Sequence, residues 1–274
     1  MTKLIKYLNL IILLLAASAA YAETTNCTAI TSIPYTISSS GVYCLTGNLS
    51  MGRTTGRAIY IGADDVVLDL NGWTLEGTGG LATQTTGIKA YKRKNITIRN
   101  GTIRGFFKAV YLEGLKSQGH LIEDIQADGN TYAGLWIQGS NNIVRRNRVV
   151  NTGGSTIDDQ AVGIFFYGHG GRVLNNDINS LVATSIGGAY GIFFSYVYGT
   201  VVEGNRIDDV SSSGIGKGIG VSTVFSDDVL IVGNRITKSD SGIDFYFSTG
   251  KYRDNLTSNV TTPYNGGTDA GNND

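Results

Sequence analysis

The chain is short of the residues that most often carry chemistry or interrupt regular structure. Among 274 residues there are two cysteines, two histidines, two prolines and two methionines. His120 and His169 are far apart, and no Cys/His cluster accompanies them, so no metal site of recognisable spacing is present and no cofactor is expected. Neither sign of charge is in excess, with 22 Lys and Arg against 22 Asp and Glu. That balance gives no electrostatic case for nucleic acid or an anionic membrane surface as a partner. Beyond the first 22 residues no apolar run approaches the roughly 20 residues that a spanning helix needs, so no membrane insertion is expected. Helix-rich composition is lacking too. The 38 glycines and 15 tyrosines point to a β-rich chain with many tight turns.

The amino terminus has its own pattern. Lys3 and Lys6 precede the apolar run Leu8 to Ala17 and the small-residue stretch Ala20-Tyr21-Ala22. This reads as a secretory signal peptide over residues 1–22, and implies a secreted or periplasmic protein. Without it the chain carries 20 basic and 22 acidic residues. Cys27 and Cys44 lie close behind, and in an oxidising compartment they are expected to pair. Closing a loop of that size is worth roughly 3 kcal/mol in the chain-entropy model. The expected role is to staple a terminal cap.

Two markers recur along most of the chain. Asn100, Asp124, Asn147, Asn176, Asn205, Asn234 and Asn255 each follow a β-type run, at separations of 24, 23, 29, 29, 29 and 21 residues. A Gly or Ala precedes an aliphatic at Ile88, Val110, Leu135, Ile164, Ile192, Ile219 and Ile243. Two phased markers at this period describe a coil of short strands that hides its apolar residues only by stacking on its neighbours. Alternation puts Ile164 and Phe166 on one face of a strand and Phe165 and Tyr167 on the other. The inward stacks read Ile88, Val110, Leu135, Ile164, Ile192, Ile219, Ile243 and Ala90, Leu112, Ile137, Phe166, Phe194, Val221, Phe245. The asparagines suit a ladder, because an amide both donates and accepts and can chain along a turn.

These motifs, with Val67-Leu68-Asp69-Leu70-Asn71-Gly72 and Asn95-Ile96-Thr97-Ile98-Arg99-Asn100-Gly101-Thr102-Ile103, resemble the right-handed parallel β-helix, or pectate-lyase-like, superfamily. The resemblance implies an all-β, single-stranded right-handed parallel β-helix of about eight coils with terminal caps. Its expected bounds are an N-terminal cap over 23–60, the helix over 61–256 and a C-terminal cap or tail over 257–274. It does not select an activity, because the fold hosts lyases, hydrolases, epimerases, adhesins and phage tail proteins.

Function is sought on the outward positions. One column reads Lys89, Tyr111, Trp136, Phe165, Phe193, Gly220, Asp244, and the next reads Tyr91, Glu113, Gln138, Tyr167, Ser195, Ser222, Tyr246. Four consecutive coils thus present a large ring, and an apolar patch of that kind marks an interaction surface. Tyr111, Trp136, Phe165, Tyr167, Phe193 and Tyr246 are the candidate substrate-binding residues for a polysaccharide, whose C–H faces suit aromatic rings. Burial of the rings under loops 151–162 and 180–190, or against a protein partner, stands as the alternative.

Asp158, Asp159, His169, Arg172 and Asp244 are the candidate catalytic residues should the chain be a polysaccharide lyase, glycoside hydrolase or epimerase. Asp158-Asp159 and Gly168-His169-Gly170 resemble polygalacturonase-type motifs, but the strand between them sets them on opposite edges, roughly 15–17 Å apart. Calcium is the ion a pectate-lyase-type site would take, and no acidic cluster supports it. Arg148, Asp177, Arg206 and Arg235 share an outward column that reads as ion pairs between coils. His120 is expected in a solvated turn. A non-catalytic surface, structural or adhesin-type protein is the rival class.

Overall fold

The computed structural model describes residues 24–274, and the expected signal peptide lies outside the described residues. All regular structure there is β-strand, and the strands pair in parallel with their counterparts one coil away. Parallel pairing throughout requires a crossover between partners, and here each crossover is the rest of the coil. The result is a solenoid of about eight turns with three faces.

The first face carries Thr86–Tyr91, Lys108–Glu113, Ala133–Gln138, Ala161–Tyr167, Ala189–Ser195 and Gly218–Val224, and ends on the second half of Arg235–Tyr246. The second runs through Ile143–Arg145, Arg172–Leu174, Val201–Glu203 and Val229–Val232. The third runs through Arg148–Gly153, Asp177–Ala183 and Arg206–Ser212. Strands before residue 61 already belong to these stacks, since Tyr35–Ile37 pairs with Arg57–Ile61 and Thr28–Ile30 with Gly41–Leu45. At the far end Leu256–Asn265 extends the third and first faces and Thr268–Asp269 the second. Cys27 and Cys44 form the expected disulfide in the first of these coils.

The interior is built from the expected stacks with one shift. Ile88, Val110, Leu135, Ile164 and Ile192 lie in register and fully buried, but the next member is Val221, not Ile219. The second stack likewise passes from Phe194 through Thr223, not Val221, to Phe245. Gly220 rather than Gly218 is therefore the marker glycine of its coil. The reason is steric. A Cβ on Gly191 would stand 2.6 Å from the Gly220 carbonyl oxygen and 2.6 Å from a methyl of Ile207, so the coils close on each other only where this position has almost no side chain. The two-residue slip keeps each side chain on its face, because the strand period is two. The hydroxyl of Thr223, buried in an otherwise apolar stack, lies 3.5 Å from the Asp244 carbonyl.

The asparagine ladder exists from Asn147 onward. Asn176 donates both its backbone N–H and its amide to Oδ1 of Asn205, each at 2.9 Å, and the pattern repeats from Asn147 to Asn176, Asn205 to Asn234 and Asn234 to Asn255. Each amide also donates to a backbone carbonyl across the coil, as Asn205 does to Val173. Asn273 receives the last link. Asn100 and Asp124 fall outside this ladder. They stand one residue earlier, at the turn position where φ is near +55°, in line with Arg146, Asn175 and Asp254. Asn and Asp tolerate that left-handed backbone best among residues with a side chain. Asp124 makes its contacts outward to Arg146.

His120 is also placed differently from the expectation of a solvated turn. It is 1% exposed, its Nδ1 accepts the Ile96 N–H at 3.2 Å, and burial pushes its pKa down to about 4. It is a neutral structural side chain that closes the turn of its coil.

Asn205→Ala tests the ladder. It removes the acceptor of the Asn176 N–H and the donor to the Val173 carbonyl, each loss worth about 1–3 kcal/mol when the group stays buried. The expected outcome is a loss of about 2–5 kcal/mol, read as a lower urea midpoint, while Asn175→Gly, at an exposed position with a left-handed backbone, has little effect.

Candidate functional site

Every coil of the first face repeats one four-residue phrase: a residue pointing outward, Gly or Ala, an inward aliphatic, and a second outward residue. It reads Lys108-Ala109-Val110-Tyr111, Ala133-Gly134-Leu135-Trp136, Val162-Gly163-Ile164-Phe165 and Tyr190-Gly191-Ile192-Phe193. The second outward positions form the expected column, continued by Ser222 in place of Gly220 and then Asp244. The first outward positions add Lys108, Ala133, Val162 and Tyr190 beside it.

The rings of these columns pack on one another. Trp136 stacks on Phe165 with centroids 3.8 Å apart, Phe165 meets Phe193 edge-on at 5.6 Å, and Phe193 stacks on Tyr190 at 4.5 Å. Tyr132 and Phe107 continue the cluster toward Lys108. Phe165 is consequently only 6% exposed, whereas Tyr111, Trp136, Tyr167, Phe193 and Tyr190 are half-buried and Tyr246 is exposed. The flat row of four equally open rings is thus replaced by a packed cluster with partly open members.

The long connections wall this cluster on its entering side. Residues 151–153 and 180–183 of the expected loops are strand, and the loops proper are short. Thr184 donates to the Asp159 carbonyl, Ile215 to that of Ser185, and Ser155 to that of Thr131, so the loops stack coil on coil as an added wall. Asp158 in this wall lies within Coulombic reach of Lys108 and Tyr132.

Lys108 is the feature that the sequence did not flag. Its Nζ stands 4.1 Å from the Trp136 ring centroid, 4.3 Å from Tyr111, 5.1 Å from Tyr132 and 5.8 Å from Phe107. An ammonium over ring faces is held by their quadrupoles. Among the described residues the nearby carboxylate Glu113 is engaged by Lys89 at 2.9 Å instead. Burial, then repulsion from Lys89, lowers the Lys108 pKa to about 8 against the opposing pull of Glu113 and Asp158. Burial also tends to raise the Glu113 pKa, but Lys89, the Tyr111 hydroxyl and Lys108 together hold it below its ordinary value. Tyr111 and Tyr132 are both pushed up by burial and by the neighbouring negative charge. One further atom is left without a partner: the Trp136 Nε1–H is buried and donates to nothing among the described residues.

The five candidate catalytic residues do not meet. Asp158 belongs to the Lys108 end of the strip, and Asp244 to the far end, where its charge raises the Tyr190 pKa further after burial. Asp244 Oδ1 accepts from Asn265 at 2.7 Å. Asp159 serves the loop wall, accepting from the Thr184 hydroxyl at 3.3 Å. His169 sits exposed on the turn leaving the strand, paired with Tyr198, and Arg172 lies exposed on the second face in line with Ile143 and Val201. No cluster of three or more potential metal-ligating side chains occurs among the described residues. A pattern for Lys108 is visible in retrospect: the residue before each marker Gly or Ala always points outward.

A family profile described as right handed beta helix region matches residues 58–180. The protein is a right-handed β-helix. No curated protein matches the chain. Among solved structures, the β-helix is similar to ORF18 of Geobacillus virus E2, with a TM-score of 0.53 at 10% identity over 88% of this chain and 52% of that one. It is also similar to DFA-IIIase from Arthrobacter chlorophenolicus A6 in complex with GF2, with a TM-score of 0.51 at 10% identity over 79% of this chain and 64% of that one. The chain thus spans less than two-thirds of either structure, and identity this low speaks for the fold alone.

The lowered Lys108 pKa has a signed consequence. Between about 8 and the ordinary 10.5 the unfolded chain holds this proton more tightly than the folded β-helix does, so the Lys108 contribution to stability rises with pH across that window. Below about 8 both states are charged and the desolvation penalty is fully present. Dimethyl-lysine NMR should show one resonance titrating near 8, absent in Lys108→Met.

Proposed function

We propose that the β-helix binds a polysaccharide across its first face, with Tyr111, Trp136, Tyr167, Phe193 and Tyr246 as apolar platforms and Lys108, Glu113, Asp158 and Asp244 as polar contacts. The observation that carries this reading is the treatment of charge. On the other two faces cations answer anions across coils, as in Arg145 with Glu123 at 2.8 Å and Arg206 with Asp177 at 3.2 Å. The first face has such a pair too, Lys89 with Glu113 at 2.9 Å. Lys108 beside it, however, has no ion-pair partner among the described residues and is held over aromatic rings, with Asp158 and Glu113 close enough to act on it by charge. Rings with half-open surfaces beside polar groups suit a sugar, apolar on its faces and polar at its edges. A protein of the same fold holding GF2 agrees with this reading without establishing it.

Export belongs to the same proposal. The expected leader and the Cys27–Cys44 disulfide both suit an oxidising compartment outside the cytoplasm. Processing of the glycan, by a lyase, hydrolase or epimerase reaction, would draw on the Lys108–Asp158–Glu113 end, where an amine of lowered pKa stands beside two carboxylates. The second reading, a non-catalytic surface or structural protein, is favoured by the burial of Phe165, which shows that part of the cluster serves packing.

Affinity electrophoresis through polygalacturonate, xylan, dextran and inulin gels tests the proposal. The wild-type chain should be retarded in at least one gel, and Lys108→Met and Tyr246→Ala should each weaken retention at least fivefold with little change in thermal midpoint. Lys108→Met removes a desolvated charge from among rings, so the fold should tolerate it. Retention unchanged in both variants, or lost only with unfolding, would overturn the assignment. New reducing ends or unsaturated products on the same panel would assign turnover as well.

A further inference from the structure

The turn that leaves the first face carries a feature that the strip above does not use. In three consecutive coils its first residue is glycine, Gly114, Gly139 and Gly168, with φ of 104° to 128°. In the next three coils the same place holds Tyr196, Phe225 and Phe247, with φ of 52°, 49° and 47°. Bulky side chains rarely occupy the left-handed region, and a run of three such rings in register is a conformational expense with no return in burial. The rings are 52%, 48% and 71% exposed. Their centroids are 5.3 Å and 5.6 Å apart, and Tyr167 precedes them at 5.8 Å from Tyr196. Phe247 also touches Tyr246 edge-on at 4.5 Å.

The surroundings say what such a row fits. It is one ring wide and follows the solenoid axis. Further along the same turns lie His169, Tyr198, Asp227 and Thr249, polar and exposed, with Thr249 donating to Asp227 at 3.0 Å. A shallow depression of about 300 Å³ adjoins the row, lined by Tyr167, His169 and Tyr196, and another of about 450 Å³ lies beyond the polar positions, lined by Tyr198, Asp227 and Thr249. A stable contact with a protein or a second copy of this chain needs a broad patch of about 800 Å² per partner. A narrow stack of rings bordered by hydroxyls, an imidazole and carboxylates lacks that breadth. It matches a linear chain of rings that is apolar on its faces and hydroxylated along its edges.

We infer that Tyr196, Phe225 and Phe247 form a second binding site, on which a polysaccharide chain lies along the turn edge, parallel to the solenoid axis. The inference rests on the polysaccharide reading for its ligand class but not on Lys108. The site is continuous with the first face through Tyr167 and Tyr246, so one long chain can engage both, and tethering at the edge raises its effective concentration at the face.

The test uses a triple variant, Tyr196→Gly, Phe225→Gly and Phe247→Gly, and a second with Asn at all three positions. Both replacements accept a left-handed backbone, so release of strain offsets the lost stacking and the thermal midpoint should stay within about 3 °C of wild type. Retention in the gel that retards the wild type should fall at least fivefold for both variants, while binding of a short oligosaccharide of the same glycan at the first face persists. Wild-type retention in both triple variants would overturn the edge site and leave the first-face reading standing. A large drop in midpoint for both would overturn it in favour of structural stacking, and a dimer in sedimentation that the variants abolish would replace the glycan by a second copy. No retention of the wild type in any gel would remove the polysaccharide reading itself.

Discussion

A buried amide that bonds to the coils on either side of it governs this molecule. Asn147, Asn176, Asn205, Asn234 and Asn255 each close a turn and hand an oxygen to the coil below. Missing any of these bonds would leave backbone groups unpaired where water cannot reach, which costs more than a typical bond contributes. The ladder therefore fixes both the spacing and the rotational phase of successive coils. Once phase is fixed, any residue at a given place in one coil lies one strand spacing from its equivalents. Columns of like side chains are the consequence, and function in this fold is written in columns.

The three faces use that property differently. On the second face Asp69 and Glu123 are buried beneath their arginines, and on the third face the pairs across coils are exposed, worth about 0–1 kcal/mol each. They keep the surface soluble without strong demands on geometry. On the first face the equivalent positions hold rings, and their mutual packing forms a second, smaller cluster outside the coil. Lys108 is placed against that cluster where its charge is poorly solvated. Burial of that charge opposes stability, which makes the first face the part of the surface best explained by a ligand.

Most of the fold was legible in the residues because solenoid order repeats a short phrase. The Gly-aliphatic and Asn markers gave the strand stacking and the inward and outward faces, and two cysteines behind an expected signal peptide gave the Cys27–Cys44 pair. Two errors have one physical source. Gly218-Ile219-Gly220-Val221 offers two glycines, two residues apart, and alternation alone cannot choose between them; the close approach of Gly191 to Gly220 does. Asn100 and Asp124 look like ladder members, yet a left-handed turn and a buried amide position both favour Asn, and these residues occupy the turn. The site was less legible. The outward ring column could be read, but the packing that hides Phe165 and half-covers Trp136 depends on Tyr132, Tyr190 and the stacked loops, whose approach no local pattern encodes. Tyr196, Phe225 and Phe247 were missed because no propensity rule expects large rings at left-handed turns.

The central claim is that Trp136 lies in a ligand-binding face. The chain has two tryptophans, Trp73 and Trp136, so Trp73→Phe leaves a single reporter in that face. Titration of this variant with oligosaccharide fragments of the retaining polysaccharide should change the Trp136 emission saturably, and Lys108→Met in the same background should shift the midpoint to higher concentration. Trp136 emission that stays constant while the fragments demonstrably bind would contradict the account.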